Sequence, residues 1–156
     1  MFTKVLLALD GSPEAMAAIP YAVDMLDSDG AIEVIHVREL IVGRGGKQTL
    51  HADESDIEDI VRSAVETLKA QGVRVSLQMA TTSSGNPAHA IAEAARRSDS
   101  DVIVMGTRGR GQVVGLLLGS VTQRLLHIAH CPVLAVPPVA TRSQRAVDTV
   151  AESAHV

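Results

Sequence analysis

Aromatic side chains are almost absent from this sequence of 156 residues, which has one Phe, one Tyr and no Trp. The core must therefore be aliphatic, and any flat ring that binds here has to rest on aliphatic walls. The single cysteine, Cys131, excludes an internal disulfide framework. No uninterrupted apolar run approaches the roughly 20 residues of a membrane-spanning helix.

Basic residues form no patch in the chain, and the formal net charge is −4. Without a basic patch, nucleic acid is not expected as a main partner, and the short apolar runs give no reason to expect a membrane. The first residues lead straight into an apolar run without a signal peptide, so we expect a cytoplasmic protein. The length suits a single domain.

Strand and helix patterns alternate along the chain. Short apolar runs predict strands, and apolar residues at helical spacing predict the segments between them. The predicted strands are 3–9, 31–37, 73–80, 102–105 and 131–138, and the predicted helices are 13–27, 55–71, 87–98 and one that starts near 120. A glycine-rich loop is expected at 38–48. This alternation predicts an α/β fold with one open parallel sheet and helices on both faces.

The most informative stretch is 101–121, DVIVMGTRGRGQVVGLLLGSV. A buried strand leads into a glycine-rich loop and then a helix start, an arrangement that presents backbone N–H groups to an anion. The spacing from Gly106 through Gly109 to Gly119 and Ser120 is G-x2-G-x9-G-S. It is neither a Walker A loop nor a dinucleotide-binding fingerprint.

This spacing, followed by Val121, resembles the ATP-binding loop of the universal stress protein family. The resemblance covers 3–138 and includes VLLALDGS at 5–12, VIHV at 34–37 and CPVL at 131–134. It implies a three-layer, Rossmann-like domain over 1–138 with strand order 3-2-1-4-5. The remaining 139–156 are expected to form a polar, flexible tail.

The resemblance also implies where ATP and its Mg²⁺ would bind. In that strand order the chain reverses direction between the first and fourth strands, where open α/β sheets bind ligands. The expected binding residues lie on the segments that meet there: Ala8, Asp10, Val37, Met105, Gly106, Arg108, Gly109, Arg110, Gly119, Ser120 and Val121.

Individual roles at this site follow from the same resemblance. Asp10 is expected to accept hydrogen bonds from the ribose, with its carboxylate free because Ser12 already caps the first helix. The backbone of Val37 is expected to meet adenine. Backbone N–H groups of Gly109, Gly119, Ser120 and Val121 are expected to face phosphates, and Ser120 is also a candidate helix cap. For Arg108 and Arg110, phosphate contact and exposure to solvent are both open.

No nucleophile–base pair is visible, so we expect an ATP-binding regulatory protein of the stress response. The alternatives are a slow ATPase or a nucleotidyl- or phosphoryl-transfer enzyme, and an interaction module that binds no nucleotide. No metal site is expected, since His127 and His130 lack a further ligand. The resemblance implies a homodimer through the fifth strand, whose apolar edge residues are Val133, Leu134, Ala135 and Val136.

Overall fold

The computed structural model describes residues 1–43, 45–46, 48–83, 85–110 and 118–138. Within these ranges the strands are β1 (Phe2–Ala8), β2 (Leu26–Val42), β3 (Gln48–Leu50), β4 (Val75–Thr82), β5 (Val102–Gly106) and β6 (Val133–Val136). The helices are α1 (Pro13–Met16), α2 (Ile19–Asp24), α3 (Glu54–Ala70), α4 (Pro87–Ser98) and α5 (Ser120–Ile128). The tail expected at 139–156 lies outside the described residues.

Five strands form one parallel sheet in the order β4-β2-β1-β5-β6. Counted along the chain without β3, this is the predicted order 3-2-1-4-5, which is confirmed. The central strand β1 pairs on both sides, with Leu7 opposite Val34 of β2 and Val104 of β5. The strands that follow β1 are added first on one side of it and then on the other, so the strand order reverses between β1 and β5. The carboxyl ends of these two parallel strands lie side by side.

Helices cover both faces of the sheet, as the alternating pattern predicted. On one face Val5 and Leu7 of β1 pack in a cluster with α1, α2 and α3. On the other face Leu6 and Ala8 pack in a cluster with α4 and α5. The buried apolar side chains are aliphatic, so the core is built as the composition requires.

The helix predicted over 13–27 is wrong as a single helix, because α1 ends at Met16 and α2 begins at Ile19. Pro20, near the start of α2, has no N–H to donate to the Met16 carbonyl, and its ring crowds that carbonyl. The predicted cap at Ser12 is confirmed, since Ser12 Oγ accepts a hydrogen bond from Ala15 N at 3.2 Å.

Strand β2 is much longer than predicted. It begins at Leu26, within the helix predicted over 13–27, and its register shifts between the pairs Phe2–Leu26 and Lys4–Ala31. Its far end replaces much of the loop expected at 38–48, because 40–42 pair antiparallel with β3. Gly45 and Gly46, both with positive φ, lie in the turn of this hairpin.

The predictions for α3 and α4 are confirmed to within one residue. Asn86 caps α4 by accepting a hydrogen bond from Ala88 N at 3.0 Å, and Pro87 occupies its first position. None of the helices in the described ranges combines the length and apolar character that crossing a membrane requires. The cytoplasmic location stays a prediction.

One carboxylate joins the starts of β1 and β5. Asp101 Oδ2 accepts hydrogen bonds from Lys4 N at 2.8 Å, Thr3 N at 2.9 Å and Thr3 Oγ1 at 3.0 Å. These bonds, with that from the Lys4 backbone the largest cause, lower the Asp101 pKa below its ordinary value of 3.8. Asp101 therefore stabilises the fold above that pH and loses this effect as the pH falls through its folded-state pKa.

We predict that Asp101→Asn lowers the free energy of unfolding at neutral pH, because the amide cannot accept the same bonds as an anion. The difference from wild type should begin to shrink near pH 3.8, where the carboxylate of the unfolded chain becomes protonated, and should continue to shrink as the pH falls through the lower pKa of the folded state. Urea unfolding at a series of pH values measures both effects. Asp99→Asn, an equal charge change at an exposed residue, is the control. A gap between Asp101→Asn and wild type that is independent of pH would contradict the account.

Candidate functional site

A cavity of about 280 Å³ opens at the carboxyl ends of β1 and β5, beside Ile35, Val37 and Glu39 of β2. The structure brings all eleven residues predicted for the site to the lining of this one cavity. Eight further lining residues were not named from the sequence: Leu9, Ala15, Ile35, Glu39, Gly85, Pro87, Ile91 and Thr122. That the predicted residues bind a nucleotide stays a prediction.

The apolar part of the cavity lining is aliphatic or Met, since none of the described lining side chains is aromatic. Val37 contributes from within β2, Met105 from the end of β5, and Pro87 and Ile91 from the first turns of α4. The contribution of α4 was missed in the sequence. One signal could have revealed it: a helix that follows a parallel strand begins at the carboxyl edge of the sheet, and Asn86-Pro87 marks such a beginning.

The Asp10 carboxylate is not free, which corrects the expectation from the sequence. Its Oδ1 accepts hydrogen bonds from Ser12 N at 2.9 Å and Ser12 Oγ at 2.5 Å, and its Oδ2 accepts one from Arg110 N at 3.0 Å. A carboxylate offers about four acceptor positions, so roughly one remains on Oδ2. Asp10 thus joins the end of β1 to the glycine-rich loop and keeps limited capacity for a ligand.

Gly109 lies directly against Asp10. A Cβ on Gly109 would overlap Asp10 Oδ2, so only glycine lets the loop approach the carboxylate this closely. The glycine at position 109 of the G-x2-G-x9-G-S spacing is therefore required by packing within the protein, whether or not a ligand is bound.

The start of α5 differs from the prediction in two ways. Gly119 is its N-cap residue and Ser120 its first helical residue, so Ser120 does not cap the helix. The Gly119 N–H donates to Thr107 O at 2.8 Å and is not available to a phosphate. Gly119 has no side chain with which to cap α5, and the amides of Ser120 and Val121, in the first turn, lack acceptors within the helix.

Arg108 and Arg110 both line the cavity but have different surroundings. Arg108 Nε is buried, and no residue of the described ranges accepts a hydrogen bond from it. The Arg110 guanidinium lies beside α3, 3.6 Å from Asp53 Oδ2 and 3.7 Å from Glu54 Oε2. Arg108 therefore has a buried donor that no described residue uses, whereas the Arg110 guanidinium is engaged in ion pairs with α3.

A larger and more open groove of about 790 Å³ runs between α2 and α3. Its lining is largely apolar, and the only charged side chains among its described residues are Asp24 and Asp59. That described lining contains neither a glycine-rich loop nor a cation. The smaller cavity therefore suits an anionic ligand, because it offers loop amides and arginines that the described lining of the groove does not contain.

The fold and the cavity define an open parallel α/β protein with a glycine-rich loop at the point where strand order reverses. The sequence matches the profile of the Universal stress protein family over residues 1–137, and the chain belongs to that family. A universal stress protein of Thermus aquaticus is 37% identical over 138 residues, covering 87% of this chain and 99% of the relative.

Solved structures of the family share the fold. A universal stress protein in complex with cAMP matches with a TM-score of 0.65 at 22% identity, covering 88% of this chain and 98% of that one. A family protein of Arabidopsis thaliana with AMP bound matches with a TM-score of 0.62 at 22% identity, covering 88% and 93%. At these identities the likeness shows the fold alone.

We predict that Gly109→Ala lowers the free energy of unfolding by about 1–3 kcal/mol, because the new methyl group forces Asp10 away from Arg110 N. Gly119→Ala is the matched control. Its Cβ would meet nothing nearer than Thr107 O at 3.4 Å, so it should cost less than about 1 kcal/mol. Urea unfolding measures both changes. Equal losses in the two variants, or an undiminished Gly109→Ala loss in an Asp10→Ala background, would contradict this assignment.

Proposed function

We propose that the cavity binds an adenine nucleotide, ATP with Mg²⁺, and that the protein is a nucleotide-dependent regulator of the stress response. The observation that carries this proposal is the buried Arg108 Nε, for which the described residues provide no acceptor. Arg108 lines a cavity that is also lined by the start of α5, whose N-cap residue, Gly119, has no side chain to cap it. A phosphate group supplies the acceptors that both features lack.

The rest of the cavity suits the nucleoside. Aliphatic walls at Val37, Ile91 and Met105 can enclose a flat base, and the remaining acceptor position on Asp10 Oδ2 suits one ribose hydroxyl. The family structures that contain AMP and cAMP support an adenine ligand. ATP is the finer proposal, and it rests on the G-x2-G-x9-G-S spacing.

Mg²⁺ would be held by the phosphates. Among the described residues no three His, Cys, Asp or Glu side chains are placed to hold a metal ion. Mg²⁺ ordinarily keeps several waters and binds substrate phosphates with only one or two protein carboxylates. The nucleotide would therefore bring the ion with it.

Regulated binding fits the cavity better than turnover. Its described carboxylates are Asp10 and Glu39, and Asp10 already accepts three hydrogen bonds. Asp10 therefore serves recognition and loop anchoring and is a poor general base. Phosphate release above background in purified protein would favour the alternative, a slow ATPase or transferase.

We further propose a homodimer through the outer edge of β6. In the described part of the sheet β6 pairs only with β5. The carbonyls of Pro132 and Val136 accept from Ile103 N and Thr107 N, so by alternation the N–H and C=O groups of Val133 and Ala135 point outward. An apolar edge with unpaired backbone groups favours pairing with a second chain.

We predict that the wild type binds Mg·ATP with a dissociation constant on the order of 1 μM and that Arg108→Met weakens this about tenfold. The loss should be small for adenosine, which has no phosphate for Arg108 to contact. Isothermal titration calorimetry measures each affinity.

Arg124→Met removes the same charge from an exposed position on α5, outside the cavity lining, and is the control. It should leave ATP binding unchanged. No ATP binding by nucleotide-free wild-type protein would sink the proposal and favour an interaction module. Equal losses for ATP and adenosine in Arg108→Met would remove the phosphate role of Arg108.

For the dimer, we predict that Ala135→Pro converts a two-chain particle to a single chain while the fold is retained. The proline removes an outward N–H without touching the bonds to β5, and prolines are tolerated at sheet edges. Light scattering gives the mass, and circular dichroism checks the fold. Ala135→Val keeps the N–H and should stay dimeric. A wild type that is monomeric at all concentrations would contradict the proposal.

A further inference from the structure

A closed circuit of polar contacts links the glycine-rich loop to α3. His36 Nδ1 lies 2.8 Å from Leu9 O, and His36 Nε2 is hydrogen-bonded to Glu54 Oε1. Glu54 Oε2 lies 3.7 Å from Arg110 Nη2, and Arg110 N donates to Asp10 Oδ2. Since Asp10 follows Leu9 in the chain, the circuit returns to its start.

The pair formed by His36 and Glu54 does not require Arg110. A carbonyl only accepts, so His36 Nδ1 donates to Leu9 O, and the bond from Nε2 to Glu54 then holds one further proton. With that proton the buried pair is neutral overall, wherever between the two the proton lies. The positive charge of Arg110 is thus additional to a pair that is already balanced.

Arg110 is held loosely at α3. Its distances of 3.6 Å to Asp53 and 3.7 Å to Glu54 exceed the roughly 2.7–2.9 Å of a charge-assisted hydrogen bond. Glu54 Oε2 is buried, and within the described ranges it has no hydrogen-bond donor. These contacts are ion pairs without directional bonds, which other acceptors can replace.

The same arginine lines the cavity, with its side chain 27% exposed. A phosphate there offers charge and oxygen geometry that match the two-pronged donation of a guanidinium. We propose that Glu54 and Asp53 compete with the nucleotide's phosphates for Arg110, so that nucleotide binding transfers the guanidinium from α3 to the ligand.

This inference rests on the proposed nucleotide binding and adds its regulation. Glu54 contacts no nucleotide in this scheme and acts only through Arg110. The transfer uncouples the start of α3 from the glycine-rich loop, while the hydrogen bond between His36 and Glu54 persists. Occupancy of the cavity is thereby communicated to α3 and to the neighbouring hairpin of β2 and β3.

A double-mutant cycle on Mg·ATP affinity tests the competition in the full chain. Glu54→Gln should tighten ATP binding about threefold, the size expected when a modest ion pair is lost. The amide introduced by this substitution can still donate to His36 Nε2, which favours folding of the variant. Arg110→Met should weaken ATP binding, and in that background Glu54→Gln should have no effect. Adenosine affinity should be the same in all four proteins.

Two further variants sharpen the test. Glu58→Gln removes the same charge one helical turn away, from a residue paired with Arg38 and Arg62, and should not change ATP affinity. Asp53→Asn, at a largely exposed side chain, should give a smaller gain that also vanishes with Arg110→Met. If Glu54→Gln fails to fold, the comparison of Asp53→Asn with and without Arg110→Met tests the competition in its place.

Equal gains from Glu54→Gln with and without Arg110, or an equal gain from Glu58→Gln, would show a general charge effect and overturn the competition. Weaker ATP binding in Glu54→Gln would overturn it as well. If the wild type binds no ATP, both this inference and the nucleotide proposal fail. If it binds ATP but the cycle is additive, only the competition fails.

Discussion

The hydrogen bonds of the Asp10 carboxylate hold the functional end of this fold together. The carboxylate caps the turn after β1 through Ser12 and fixes the glycine-rich loop after β5 through Arg110 N. These two segments are 100 residues apart in sequence and meet only because β1 and β5 are neighbours in the sheet. The requirement for glycine at 109 follows from the same close approach.

The two arginines of the loop that Asp10 holds have different surroundings, Arg108 at the cavity and Arg110 beside α3. Arg108 keeps a buried donor at the cavity without an acceptor among the described residues, which suits a bound anion. Arg110, with its backbone fixed by Asp10, directs its guanidinium toward the carboxylates of α3. Binding and its communication to the rest of the fold can therefore reside in two arginines of a single loop that are separated only by Gly109.

Local signals in the sequence predicted most of the fold. The Asn86-Pro87 start and the apolar stripe of α3 defined these helices to within one residue. The prediction failed where a local signal was weighted wrongly, as at Pro20, whose missing N–H divides the first helix. It failed again at β2, whose hairpin with β3 depends on pairing across a turn.

The candidate site was predicted less completely, because its internal bonds join distant residues. The eleven residues selected from the spacing and the family resemblance all line one cavity. Neither could show that Asp10 is already bonded, or that Gly119 donates to Thr107. Nor could either show the hydrogen bond between His36 and Glu54, which forms only when α3 packs against β2.

The most direct test of this account is a crystal structure of the protein with a non-hydrolysable ATP analogue and Mg²⁺. The account predicts the base between Val37 and Met105, phosphates at Arg108 and the start of α5, and the Arg110 guanidinium turned from α3 toward the ligand. An analogue bound in the groove between α2 and α3, or a cavity that stays empty at saturating analogue, would contradict it.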